Sequence, residues 1–299
     1  MGDTITVLNR VLICEKYIPK TNKESVYKSK RKKVKKILFP DFKEHEDTKQ
    51  LDYNLGDFKA GDLCYITSKM HGTSGRTAYL KKAPQNIIQK IIYKFKPKWS
   101  VVSGTRRTVL NDYSGGFYGD NAFRKKYNDL LATRLKENET VYYEIVGYTD
   151  CGTIMASCNN RKVNDKEFVK KYGETTDFTY GCNPGENQMY VYRMTYTNKD
   201  GDVIEYPWDY VKYRCEQMGL LYCPEFDKFL YTTEEDLLER VNKYIDGADV
   251  IGKTHIREGV VVRIEKPSFT AYKKKNLNFK ILEGIIKEAA TEPDMEERE

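Results

Sequence analysis

A lysine, Lys69, lies between two apolar segments in a position that could support nucleophilic chemistry. It falls inside "CYITSKMHGTSGRTAYL", residues 64–80. The β-branched and apolar residues on both sides of the glycine-rich stretch predict two strands joined by a turn, with Lys69 at the edge of a sheet. A lysine beside a turn is usually just solvated, so this segment alone is a weak functional signal.

Further candidate residues follow in or next to predicted strands. They are Glu144 in "VYYEIVG", Tyr190 and Tyr192 in "MYVYR", Glu258 in "REGVVVR", and Lys273, Lys274 and Lys275 in "YKKKNLNFK". Because each lies at a strand, all of them could converge on one face of a cleft built from sheets.

These residue types are the ones that covalent nucleotidyl transfer needs. An amine must attack the α-phosphorus of ATP, and a lysine is almost wholly protonated at neutral pH unless neighbouring cations or desolvation depress its pKa. The lysine cluster and a bound metal ion could supply that effect and neutralise phosphate charge. Glu144 and Glu258 could hold ribose hydroxyls or Mg²⁺ (or Mn²⁺), which prefers oxygen ligands. An aromatic face would stack on adenine.

Each candidate also has a structural interpretation. The chain has 24 tyrosines, so core packing is expected for at least one of Tyr190 and Tyr192. Residues 273–275 alone would be a solvated charge run in most proteins. Glu144 is harder to dismiss, since an acid inside an apolar strand is costly unless it has a partner.

Composition sets wider limits. The 299 residues carry a net charge of +7, an excess that suits an anionic partner but is also common on solvated surfaces. No apolar run approaches the length of a membrane span, and the first residues lack a secretory pattern. Seven cysteines without a CxxC pair suggest neither disulfides nor zinc, and with three histidines any metal site must rest on carboxylates. We therefore expect a monomeric, cytoplasmic protein without membrane contact, in a cell or in a phage- or virus-infected host.

The chain predicts a strand-rich middle with interspersed helices. Helices are expected over residues 121–135, 210–220 and 232–245, the last with a capping box formed by Thr232 and Glu235. Residues 197–202 read as a hairpin turn. The basic run over residues 27–42 fits a solvated arm and a nucleic-acid contact surface equally well, and a nuclear localisation signal less well. We expect an amino-terminal part (1–60) integrated with a catalytic domain (61–286), an acidic tail (287–299), and no carboxyl-terminal OB domain.

The order and spacing of five short segments resemble a known family. "SKMHGTSGR", "YYEIVG", "MYVYR", "EGVVVR" and "KKKN" look like motifs I, III, IIIa, IV and V of the covalent nucleotidyltransferase superfamily, and most like those of the phage RNA ligase 2-type, ATP-dependent RNA ligases. The resemblance spans residues 62 to about 282. It implies an α+β fold: a nucleotidyltransferase domain, of the ATP-grasp-like ligase adenylation kind, with antiparallel sheets flanked by helices.

The resemblance also implies roles for residues. Lys69 would form lysyl-AMP, Glu144 would contact the ribose, and Tyr192 would stack on adenine. Glu258 would bind the metal or orient the nucleophile, with Glu144 as a second metal-binding candidate. Lys273 and Lys275 would contact the α-phosphate, so Lys274 should point away, because side chains alternate along a strand.

Other matched positions are expected to contact the nucleotide or a substrate phosphate. In "SGTRRTVL" Arg106 is the preferred residue for the phosphate, with Arg107 the competitor. His71, Gly72, Ser74 and Arg76 complete the nucleotide-binding set. His71 replaces a frequent aspartate, Ser74 replaces an arginine or asparagine for which Arg76 could compensate, and Arg193 stands where aspartate is usual.

The function implied is an ATP-dependent RNA ligase that joins 5′-phosphate and 3′-hydroxyl ends, with nicked duplex or an RNA–DNA hybrid among the candidate substrates. A DNA nick-sealing ligase is the first alternative, and a guanylyltransferase that caps RNA is a weaker one. A nucleic-acid-binding protein that keeps the fold without catalysis is the alternative from a different class.

Overall fold

The structure is a computed structural model, and it describes residues 7–8, 11–12, 38–110, 112–113 and 121–285. Most of the basic run and the acidic tail therefore lie outside the described residues. The described strands are β1 Val7–Leu8, β2 Val11–Leu12, β3 Lys49–Gln50, β4 Leu63–Ser68, β5 Thr73–Lys81, β6 Trp99–Gly104, β7 Val109–Leu110, β8 Glu139–Thr149, β9 Gly152–Thr153, β10 Cys158–Asn159, β11 Thr175–Thr176, β12 Asn187–Thr197, β13 Val203–Glu205, β14 Leu221–Tyr222, β15 Glu225–Leu230, β16 Gly259–Ile264 and β17 Ala271–Lys275. The described helices are α1 Ile87–Phe95, α2 Ala122–Ala132, α3 Lys166–Tyr172, α4 Trp208–Met218, α5 Glu234–Ile245 and α6 Leu277–Leu282.

Two sheets build the fold. The larger has the strand order β13-β12-β8-β5-β6-β7, with β14 beside β12 and β9 beside β8, and the smaller has the order β15-β4-β16-β17-β3. Neighbouring strands run antiparallel except for β12 with β14 and β17 with β3. The predicted α+β class with antiparallel sheets and flanking helices is confirmed.

The strands on either side of Lys69 do not form a hairpin. β4 pairs with β15 and β16 in the smaller sheet, whereas β5 pairs with β6 and β8 in the larger one. The short segment 69–72 therefore crosses between the sheets, and the expected single sheet edge is in fact the boundary between two sheets.

Each sheet has its own apolar core. In the smaller sheet, Val260 and Val262 on β16 pack with Leu237 and Val241 on α5. This agrees with alternation along the strand and with apolar residues four apart on the helix. The larger core gathers buried residues of β8, β12, α2, α4 and α6. This core also includes Tyr65 of β4, so it reaches the smaller sheet, and a third, smaller cluster lies on β5 and β6.

The helix boundaries differ from the prediction in places. α2 and α4 match the predicted helices to within a few residues. α5 is capped by Thr233, whose side chain accepts a hydrogen bond from Asp236 N, so the assignment of the cap to Thr232 was wrong by one residue. The hairpin between β12 and β13 is confirmed, with Gly201 at φ +88°. Helices α1, α3 and α6 were not predicted.

Two further observations concern the described residues alone. Their six cysteines are all free. None of their helices has the length and apolar character needed to cross a bilayer.

Candidate active site

Lys69 is held at the boundary between the sheets by β16. Its backbone N–H donates to Gly259 O at 3.0 Å, which continues the pairing of β4 with β16 by one residue. Its ammonium donates to Glu258 Oε1 at 2.6 Å. The Lys69 side chain is 22% exposed, whereas that of Glu258 is 2% exposed. The lysine is thus reachable from solvent while its partner is not.

Glu258 is the centre of a charged cluster. Lys275 Nζ lies 3.2 Å from the same oxygen, Oε1, and also pairs with Glu283. Burial alone would raise the pKa of Glu258, but the charges of Lys69 and Lys275 and the hydrogen bond from Lys69 hold it below its ordinary value. Glu258 Oε2 is buried without a hydrogen-bond partner, so one oxygen of a charged carboxylate can still accept a ligand.

Strand β17 separates its three lysines by alternation, as predicted. Lys273 lines the cavity described below, and Lys274 points away and pairs with Asp52 at 2.7 Å. Burial, followed by the nearby charges of Lys69 and Lys275, lowers the pKa of Lys273. Burial would lower the pKa of Lys275 too, but Glu258 and Glu283 raise it above its ordinary value.

A cavity of about 380 Å³ lies between the sheets with Lys69 in its wall. This volume is within the range of small-ligand sites. Seven predicted site residues line it: Lys69, Gly72, Ser74, Arg106, Glu144, Tyr192 and Lys273. Its wall is therefore basic, with one carboxylate and one aromatic ring among the predicted residues.

Glu144 reaches the cavity from the middle of β8, where it is opposite Ser74 on β5 and Tyr190 on β12. Burial raises its pKa to about 8, and the charge of Lys69 offsets only part of that rise. At neutral pH the Glu144 carboxyl is therefore mostly protonated, and it can donate as well as accept a hydrogen bond.

A β-bulge distinguishes the two candidate tyrosines. The register of β12 against β8 shifts between Val191 and Arg193, so Tyr192 is the extra residue of the bulge. Tyr192 lines the cavity, whereas Tyr190 is buried in the larger core. The expectation that one of the pair serves the core agrees with this arrangement.

The structure also distinguishes Arg106 from Arg107, because only one of them lines the cavity. Both are near Asp47, with which Arg106 forms the close ion pair and Arg107 a longer contact of 3.9 Å. Arg106 lines the cavity, whereas the Arg107 side chain is 74% exposed and lies outside it.

The structure does not bring two of the predicted nucleotide-binding residues to the cavity. Arg76 is buried beside the ring of Phe42 and donates to the carbonyl of Lys43, so its guanidinium is engaged elsewhere. His71 lies behind Glu258, with its Nδ1 3.8 Å from Oε2 and its ring edge-on to Phe178 and Phe279. Burial lowers the pKa of His71 to about 4, so its ring is neutral at pH 7.

Sequence reasoning missed several residues of the cavity wall. The rings of His45 and Phe269 meet edge-on with centroids 5.5 Å apart, and His45 meets the ring of Tyr192 in the same way. Arg193 does not line the cavity itself: it lies between the rings of Phe269 and Tyr142 and forms a buried ion pair with Glu205. No motif spacing marks His45. Phe269 precedes the lysine cluster closely enough to have been considered.

Two glycines allow the backbone segments around Lys69 to approach each other. A Cβ on Gly72 would lie 2.3 Å from Ile145 O, and one on Gly259 would lie 2.1 Å from Lys274 O. Such distances are incompatible with any side chain. The glycines that follow His71 and Glu258 are therefore steric requirements of the site.

The possible metal ligands only partly match the prediction. Within the described ranges, one group of three ligand residues has its donor atoms within 4.8 Å of one another, namely His71, Glu258 and Glu283. Glu144 is not a member. Glu258 Oε2 is buried and unpartnered, and a carboxylate oxygen is a ligand that a hard cation accepts.

Comparison with known proteins places the chain in a family. A family model described as RNA ligase matches residues 62–282, well over half of the chain. The chain therefore belongs to the RNA ligase family, and the resemblance found in the five motifs is confirmed. A search of curated proteins found no match.

Solved structures of an RNA ligase from Naegleria gruberi share the fold. The form with PPi aligns with a TM-score of 0.52 at 14% identity, over 81% of this chain and 58% of that one. A variant with ATP and Mn aligns with a TM-score of 0.51 at 16% identity, over 81% of this chain and 59% of that one. An apo variant aligns with a TM-score of 0.51 at 16% identity, over 80% of this chain and 57% of that one. The chain thus spans less than three fifths of the length of that ligase.

Proposed function

We propose that this protein is an ATP-dependent RNA ligase whose nucleophile is Lys69. The observation that carries the proposal is the position of Lys69, which lies in the wall of a basic cavity while its ammonium is hydrogen-bonded to the buried carboxylate of Glu258. The motif order, the family membership and the N. gruberi ligase solved with ATP and Mn support it.

In the first step, Lys69 Nζ attacks the α-phosphorus of ATP. A P–N bond forms, the bond between the α-phosphorus and the bridging oxygen breaks, and pyrophosphate leaves. The Lys69 ammonium gives up one proton to become a free amine and a second when the P–N bond forms. Glu258 Oε1, within hydrogen-bond reach, can accept one of them, and the other leaves to solvent, which reaches Lys69. Lys273 and Lys275 place positive charge beside the reacting group, where charge builds up on the phosphate oxygens.

The cavity wall supplies the remaining contacts with the nucleotide. Tyr192 presents an aromatic ring for adenine, and Glu144 can hydrogen-bond a ribose hydroxyl. Mg²⁺ or Mn²⁺ would be held by Glu258 and would neutralise phosphate charge. Glu144, the second candidate, would have to lose its proton before it could bind the cation.

Two further steps complete ligation. A 5′-phosphate oxygen of RNA attacks the phosphorus of lysyl-AMP, which breaks the P–N bond and leaves an adenylylated RNA end. A 3′-hydroxyl then attacks the RNA phosphate and expels AMP. Arg106 lies at the cavity wall where it can meet the incoming phosphate.

The test is incubation with α-labelled ATP and Mg²⁺ followed by denaturing electrophoresis. We expect a labelled band from the native chain and none from Lys69→Ala. Nicked RNA, nicked DNA and hybrid substrates then separate RNA ligation from DNA ligation. The absence of label with ATP, GTP and NAD⁺, together with an unmodified intact mass, would overturn the proposal in favour of a non-catalytic nucleic-acid-binding protein.

A further inference from the structure

Helix α1 has its apolar face turned away from the protein. The helix is inserted between β5 and β6, which pair with each other as far as Lys81 and Trp99, and none of its residues is buried. Its five large apolar side chains are between 50% and 81% exposed: Ile87, Ile88, Ile91, Ile92 and Phe95. The half-buried residues of the helix are the polar Gln89 and Tyr93. An ordinary surface helix shows the reverse arrangement.

The exposed apolar side chains form one continuous face. At about 100° per residue, the five positions span an arc of about 140° on the helix. Asn86 caps the helix by accepting a hydrogen bond from Gln89 N, so the helix has a defined start. The exposed apolar face therefore belongs to a regular, capped helix.

The segment that carries this face is basic. Residues 81–98 contain no Asp or Glu and six lysines: Lys81, Lys82, Lys90, Lys94, Lys96 and Lys98. Lys81 lies 5.2 Å from the ring centroid of Trp99 at the base of the helix. An apolar face flanked by lysines, with an aromatic ring at its edge, is the composition of helices that lie in a bilayer interface.

Other occupants fit these observations less well. RNA would pair with the lysines, but its phosphates cannot cover isoleucine and phenylalanine side chains. A second copy of the chain would bring two sets of six like charges together. A groove on a partner protein could hold the helix, but a convex apolar face with Lys90 and Lys94 along one side is matched most directly by anionic headgroups over acyl chains.

We propose that α1 is a membrane-surface anchor that inserts its apolar face into the interfacial region of an anionic phospholipid bilayer. No membrane contact was expected from the sequence, and the exposed apolar face of α1 is the observation against that expectation. Ser74 lies at the cavity and Lys81 at the far end of the same strand, β5. Seven residues of strand span about 23 Å, so α1 and the cavity are at separate places along β5.

The test is co-sedimentation of the full chain with vesicles of phosphatidylcholine alone and of phosphatidylcholine with phosphatidylserine. We expect binding at least about tenfold stronger to the anionic vesicles, weakened by high salt. The emission of Trp99 should shift to shorter wavelength on binding, since the other tryptophan, Trp208, is already 1% exposed and will change little.

A matched pair of variants locates the contact. Ile88→Ser/Ile91→Ser/Phe95→Ser should lower vesicle binding at least about tenfold. Ile204→Ser/Leu230→Ser, which alters exposed apolar residues elsewhere, should leave binding unchanged. Both variants should keep the unfolding temperature of the native chain, because the altered side chains are exposed. Absent binding to anionic vesicles, or equal binding by both variants, would overturn the anchor. So would a concentration-dependent dimer that only the α1 variant abolishes.

Discussion

The ammonium of Lys69 and the carboxylate of Glu258 are 2.6 Å apart, although 189 positions separate them in the sequence. The register of the smaller sheet accounts for this contact. Ser68 is opposite Val260 in the antiparallel pair of β4 and β16, so Lys69 follows one strand where Glu258 precedes the other. The strand pairing itself therefore fixes the nucleophile against its partner.

Glu258→Gln should test this contact directly. The amide keeps the shape of the side chain but removes the charge that faces Lys69 and Lys275. We expect the initial rate of adenylylation by labelled ATP to fall about a hundredfold or more. Glu174→Gln, at an exposed ion pair with Arg161, is the control and should keep the native rate. A native rate in Glu258→Gln would remove Glu258 from the mechanism.

Substitution of the three lysines of β17 should give an alternating result. Lys273 lines the cavity and Lys275 contacts Glu258, whereas Lys274 pairs with Asp52 on the opposite side. Lys273→Ala and Lys275→Ala should each lower adenylylation at least about tenfold. Lys274→Ala should stay within about twofold of the native rate. Equal losses in all three variants would point to a general charge effect.

Strand periodicity explains why these lysines could be predicted from the sequence. Alternation over residues 273–275 is local, so it needs no knowledge of the rest of the fold. The same holds for the β12–β13 hairpin, which depends on the conformational freedom of Gly201. The order of the five motifs then supplied the residues that meet around Lys69.

The two-sheet arrangement could not be predicted in the same way. Nothing local distinguishes a tight turn from the crossing over residues 69–72, because either can end at a glycine such as Gly72. The bulge at Tyr192 and the packing of the Arg76 guanidinium on the ring of Phe42 also depend on contacts between residues far apart in the sequence. Helix α1 was missed because its isoleucines favour strands as well as an apolar helix face.

Arg106 and Arg107 should differ in their effect on ligation. Both are adjacent to Asp47, but only Arg106 lines the cavity. Arg106→Ala should lower the sealing of labelled RNA with a 5′-phosphate at least about tenfold, since a charged hydrogen bond to phosphate is lost. Arg107→Ala should stay within about twofold of the native chain. The reverse ranking would assign the phosphate contact to Arg107.

The two glycines at the site should not tolerate alanine. Cβ atoms at Gly72 and Gly259 would lie 2.3 and 2.1 Å from backbone oxygens, so the backbone must shift in each variant. We expect each substitution to lower the free energy of unfolding by about 2 kcal/mol or more in urea titrations. Gly56→Ala, where no atom lies within 4 Å of the added Cβ, should change it by less than about 0.5 kcal/mol. Equal stability of all three variants would contradict the close approach.

Glu144 should make the stability of the nucleotide-free protein fall as the pH rises. Burial raises its pKa from 4.5 to about 8 in the folded protein. Between these two values the folded state keeps a proton that the unfolded chain releases, so deprotonation favours unfolding. The effect is absent below the unfolded pKa and grows as the pH approaches 8. Glu144→Gln cannot release this proton and should lose less stability over the same range.

Urea titrations of the native chain and Glu144→Gln at several pH values between about 5 and 8 would measure this difference. Comparison of the two curves cancels the contributions of other groups, including His71, whose lowered pKa acts in the opposite direction. A gap that widens towards pH 8 in favour of Glu144→Gln is the expected result. Parallel curves would mean that Glu144 is charged in the folded protein at neutral pH, and its carboxyl could then only accept hydrogen bonds from a nucleotide.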